Sequence, residues 1–94
     1  MNIHPEYFIY GFGNCTGCEL AKTLCENHGR QYVFINIKED KKAKKLLGLL
    51  SKEKGWKLGQ IQIPAIYRRA ELTGGSSFNF EYIGNHEALQ QLFN

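Results

Sequence analysis

The sequence predicts an α/β domain: one mixed four-stranded sheet with helices on its faces. Three observations predict it. A short apolar run, Tyr7-Phe8-Ile9-Tyr10, gives way through a glycine-containing turn to a helical repeat. A second apolar run follows that helix, so the two strands should be parallel and joined by a right-handed crossover. Two further strand-like runs flank Thr73-Gly74-Gly75-Ser76-Ser77, the pattern of an antiparallel hairpin. Elements of these kinds, in this order, assemble one sheet between helical layers.

The first strand covers Tyr7 to Tyr10, and Gly11, Gly13 and Asn14 read as a turn. The first helix runs from Thr16 to Asn27. Its Ala21, Leu24 and Cys25 recur at helical spacing, and His28-Gly29 is its stop. The second strand, Gln31 to Ile37, is nearly continuously apolar, as a strand covered on both faces is. The second helix, Glu39 to Lys54, puts Ala43, Leu46, Leu47 and Leu50 on one face and its lysines on the other; Gly55 ends it. Trp56 to Gln62 reads as a loop. Ile63-Pro64-Ala65-Ile66-Tyr67 starts a third strand, with proline at its first residues, where a missing N–H is tolerated. Phe78 to Ile83 is the fourth strand. A final helix, Asn85 to Phe93, carries Ala88, Leu89, Leu92 and Phe93 on one side.

With 94 residues the chain suffices for a single domain, residues 1–94, around one core. An apolar share of 43% with 13% aromatics excludes a disordered chain. The sequence opens without a basic segment leading into a long apolar one, and no apolar run reaches membrane-spanning length, so a soluble protein with no membrane partner is expected. Three cysteines are odd in number and few for a disulfide scaffold. A reducing cytoplasm is the expected location, and any dithiol there is a working pair. The net charge of +3 is too mild to call for nucleic acid. Tyr7, Phe8, Tyr32 and Phe34 lie in predicted core strands and read as packing, not as a base-stacking platform. Lys38, Lys41, Lys42, Lys44 and Lys45 read as a solvated face, or as a dock for an acidic tail of a protein substrate.

The chemistry concentrates in Cys15-Thr16-Gly17-Cys18. The motif sits where a strand gives way to a helix, so Cys15 falls at or near the helix N-cap. Unpaired N–H groups and the positive end of the helix dipole favour a thiolate there. Such positions lower a thiol pKa from about 8.5 to roughly 3.5–7.5. Cys15 is then the attacking thiol and Cys18 the resolving one. Gly17 adds little bulk, leaving room for a partner backbone near the sulfur. A zinc reading uses Cys15, Cys18, Cys25 and His28, but helical residues 16–27 would set Cys25 about 10 Å along the axis from Cys18, beyond one tetrahedral ion. No metal is expected. Cys25 reads as a small core residue, and His28 as a helix-terminal one.

The CxxC after the first strand, Ile63-Pro64 before the hairpin and Tyr82-Ile83-Gly84-Asn85 opening the last helix together resemble the glutaredoxins. The likeness covers nearly the whole chain and is closest to the short glutaredoxins, or thioredoxin-like redox proteins, of phages and bacteria. The resemblance implies a thioredoxin fold, a redox-active Cys15–Cys18 disulfide and exchange in the cytoplasm (of the host, for a phage protein). It implies glutathione as co-substrate, no tightly bound cofactor, and a monomer acting on protein disulfides, ribonucleotide reductase being a frequent acceptor in that family. It assigns Thr16, Gly17, Ile63 and a cis Pro64 to the binding of glutathione or substrate, with the backbone of Ile63 offered to an extended peptide. It assigns the γ-glutamyl end of glutathione to Gly84, Asn85, His86 and Glu87. His86 has a second reading as an exposed first-turn histidine. The chain departs from the family at Thr16-Gly17, where Pro-Tyr is usual, at Phe12-Gly13-Asn14, which lacks a lysine, and at Asn85 and Glu87, where glycine and aspartate are usual. Asparagine tolerates a left-handed backbone, so Asn85 is compatible with the turn. The departures bear on glutathione more than on exchange chemistry, and raise thioredoxin reductase as the alternative reductant.

Overall fold

The computed structural model describes residues 6–57, 61–71 and 78–93. Strands β1 (Tyr7–Gly11), β2 (Tyr32–Asn36), β3 (Ala65–Glu71) and β4 (Phe78–Gly84) alternate with helices α1 (Thr16–Asn27), α2 (Lys41–Lys54) and α3 (His86–Phe93). The four strands form one sheet in the order β2-β1-β3-β4. β1 pairs parallel with β2, and antiparallel pairs join β1 to β3 and β3 to β4.

The two-residue alternation of β1 divides the core. Tyr7 and Ile9 face one side, packed with Ala21 and Cys25 of α1, Ile66 of β3 and Leu89 of α3. Phe8 and Tyr10 face the other, with Leu47 and Leu50 of α2 and Tyr67 of β3. Helices α1 and α3 therefore share one face of the sheet and α2 covers the opposite one. No helix among the described residues is long and apolar enough to cross a membrane.

Several boundaries differ from the sequence reading, each for a local reason. Gly11, read as turn, is the last residue of β1. Helix α2 starts at Lys41, not Glu39, because Asp40 is its cap: the carboxylate accepts from Lys42 N and Ala43 N at 2.9 and 3.2 Å. Likewise α3 starts at His86, because Asn85 is its cap. Strand β3 begins at Ala65, after Ile63-Pro64, and runs on to Glu71. Its polar continuation is held by β4, where Arg68 stands opposite Glu81 and donates to its carboxylate at 2.8 Å. β2 is apolar on both faces yet is a sheet edge, so all five of its residues are half-buried. The turn expected at Thr73–Ser77 lies outside the described residues, as does part of the Trp56–Gln62 loop.

Candidate functional site

Cys15 is the N-cap of α1, with extended backbone (φ −139°, ψ 115°), and its sulfur accepts the Cys18 N–H at 3.2 Å. This is the capping role that Ser or Asp usually fills, taken by a sulfur. Cys15 is half-buried, whereas Cys18, one turn on, is 0% exposed. Both are thiols. Burial pushes the Cys18 thiol up to about 12; its hydrogen bond to Cys15 adds to this, while a backbone contact from Phe12 and the charge of Lys22 oppose it. One sulfur is therefore reachable, and the other is protonated and hidden behind it.

Gly11 makes room for this arrangement. A Cβ on Gly11 would collide with the Cys18 sulfur, so the end of β1 must be bare where the buried thiol rests on it. The sequence reading missed Gly11. Its signal was a glycine closing an apolar strand just ahead of a CxxC.

The other expected residues come from two further segments. Ile63-Pro64 is a cis peptide preceding β3. A Cβ on Gly17 would stand 2.7 Å from His86 Nδ1, 3.0 Å from His86 Cε1 and 3.0 Å from Pro64 Cδ. Gly17, Pro64 and His86 therefore meet, joining the start of α1, the segment before β3 and the start of α3. His86 is half-buried, so it is not the exposed first-turn residue of the alternative reading. Its Nδ1 is buried without a hydrogen-bond partner. Gly84 takes φ 131°, a left-handed value that favours glycine, and a Cβ there would stand 2.9 Å from Ala88 Cβ. Asn85 is not left-handed, since positive φ among described residues falls only on glycines. Its Oδ1 accepts instead from Glu87 N and Ala88 N at 3.1 and 3.2 Å. Thr16 and Glu87 are exposed.

A solved structure shares the whole arrangement of elements. It is a buckwheat glutaredoxin in complex with glutathione, matched at a TM-score of 0.63 and 17% identity over 94% of this chain and 67% of that one. The fold is that of a glutaredoxin. No family profile matches the sequence, and no curated protein matches it.

Within this glutaredoxin fold the remaining cysteine and histidine have structural surroundings. Cys25 is 0% exposed among Tyr7, Ile9, Ala21 and Leu89, and burial pushes its thiol up to about 11. His28 caps the end of α1, its Nδ1–H donating to the Leu24 carbonyl at 2.9 Å and its ring 4.7 Å from Phe93. Among the described residues, no three His, Cys, Asp or Glu side chains gather where they could hold a metal ion.

Proposed function

We propose that this chain is a dithiol glutaredoxin-type thiol–disulfide oxidoreductase. The observation that carries the reading is the inequality of the two sulfurs: Cys15 is reachable and accepts a backbone N–H, while Cys18 is wholly buried and held as a thiol. The Cys15 thiolate attacks one sulfur of a substrate disulfide. A Cys15–substrate mixed disulfide forms and the other substrate sulfur leaves as a thiolate. Cys18 then gives up its proton to the substrate thiolate released in the first step and attacks Cys15 Sγ. The Cys15–Cys18 disulfide forms, and the second substrate sulfur leaves. Two electrons have passed to the substrate. Two glutathione molecules return them, becoming glutathione disulfide. Cys18 need not be acidic at rest, because it acts only on a sulfur already in contact with it.

The cis Ile63-Pro64 segment, Thr16, Gly17 and the Gly84–Glu87 turn are the proposed binding surface for glutathione or a substrate peptide, with no resident cofactor. Support comes from the meeting of Gly17, Pro64 and His86 and from the fold shared with a glutaredoxin solved with glutathione. Protein disulfides, such as that of ribonucleotide reductase, are the proposed acceptors. The motif centre favours a second reductant: Thr16-Gly17 stands where the glutaredoxins usually carry Pro-Tyr. In that reading thioredoxin reductase reduces the pair directly.

Reduction of hydroxyethyl disulfide, coupled in parallel to glutathione with glutathione reductase and to thioredoxin reductase, tests both readings. Turnover with at least one system is expected, abolished by Cys15→Ser. Cys18→Ser should keep turnover of glutathione mixed disulfides and lose reduction of protein disulfides. Inactivity with both systems would overturn the proposal.

A further inference from the structure

On the side of the sheet opposite α1, the chain leaves a groove of about 380 Å³ between α2 and the strands. Its floor is aromatic: Phe8, Tyr10, Tyr67 and Phe80. Leu46 walls it, and Asp40 and Lys42 are the charged residues of its lining. Phe80 is 57% exposed, edge-on to Phe8 with ring centroids 5.1 Å apart.

The start of α2, whose Lys42 lines this groove, is basic. Lys41, Lys42, Lys44 and Lys45 occupy four of the first five positions of α2, and all four are exposed. None takes part in the ion pairs of the described residues, which join Lys22 to Glu19, Arg30 to Glu6 and Arg68 to Glu81. The lysines crowd the positive end of the helix dipole, where cations are unfavourable and only the capping Asp40 offsets them. Glu39, also exposed, is the other carboxylate in the turn. Lys38 extends the basic stretch: its Nζ lies 5.5 Å from the centroid of the Phe12 ring. Phe12 packs in the same apolar cluster as Tyr10 and Tyr67. It stands three residues before Cys15, a span of at most ~11 Å.

We infer that this groove docks an acidic segment of a protein substrate, anchored by an aromatic or large aliphatic side chain, with the substrate's disulfide held at Cys15. The basic start of α2 selects the charge, and the aromatic floor takes the anchor. The word substrate rests on the proposed exchange chemistry; the docking does not. Phosphate-rich polymers and anionic membranes share the charge but not the apolar anchor.

Full-length Cys15→Ser protein, titrated calorimetrically with a cysteine-free peptide of Asp and Glu around one Phe, tests the docking without any redox step. Saturable binding is expected, weakened about tenfold by high salt and by replacing Lys41, Lys42, Lys44 and Lys45 with Gln. A peptide with Ser for Phe should bind about tenfold more weakly, and Phe80→Ser should weaken the parent peptide similarly. In the otherwise native protein, the four Lys→Gln changes should leave hydroxyethyl disulfide reduction unaltered and lower kcat/KM about tenfold for a disulfide joined to the acidic peptide. Equal binding of a peptide with Gln for its acids would overturn the inference. So would tighter binding to anionic vesicles or to an oligonucleotide. Peptide binding by a protein that reduces no disulfide would leave the docking standing and remove the redox reading alone.

Discussion

Gly17 and His86 share one volume, although they come from opposite ends of the chain. Side chains at position 17 are therefore limited by a ring that no local pattern reveals. Gly17→Ala is expected to lower stability by about 1–3 kcal/mol, because the imidazole and Pro64 must both yield. Adding His86→Ala should recover most of that loss, giving a coupling of about 1 kcal/mol or more in urea denaturation of the four proteins of the cycle. Additive effects would show that the ring does not press on Gly17. At this scale the placement of Cys15 and Cys18 was legible in sequence, because capping and helix spacing are local. The spaces at Gly11 and Gly17 were not, since each is defined by an atom of another element: the Cys18 sulfur in one case and His86 in the other.

At the scale of elements, apolar periodicity located all seven, and capping chemistry moved the edges. Asn85 illustrates this. It was read as a residue able to adopt a left-handed turn, but Gly84 takes that backbone and Asn85 caps α3 with its side chain. Asn85→Ala should cost about 1 kcal/mol. Because α3 is only eight residues long, the loss should appear as faster amide exchange in α3, with β1 and β3 little changed. Uniform loss of protection across the sheet would argue against a capping role. The far end of β3 was not legible in sequence for a different reason. Arg68 and Arg69 carry no apolar alternation, and the partner that makes Arg68 a strand residue, Glu81, is supplied by β4.

The whole molecule stores several acidic protons in its interior. Burial pushes Cys18 to about 12 and Cys25 to about 11, from an ordinary thiol value of about 9, and Tyr67 to about 12 from about 10. All three lie in the core. An unfolded chain releases the thiol protons as pH rises past about 9, while the native state keeps them until about 11–12. Above pH 9 the unfolded state thus binds fewer protons, and stability falls as pH rises. The urea midpoint of the reduced protein, followed by circular dichroism under argon, should be level with respect to these groups from pH 7 to about 8.5 and decline steadily from about 9 to 12. A midpoint unchanged up to pH 11 would contradict their burial as protonated groups.

The sequence by itself determined the sheet-and-helix order and the place of Cys15 and Cys18 at a helix start. These depend on spacing and on hydrogen bonds within a few residues. Only the tertiary structure decided that β2 is an edge, that Gly11 yields its space to a thiol and that Gly17, Pro64 and His86 meet. It also decided that Lys42 of α2 lines an aromatic groove. Those outcomes depend on which atoms from distant segments exclude one another from the same volume, and no local pattern encodes that.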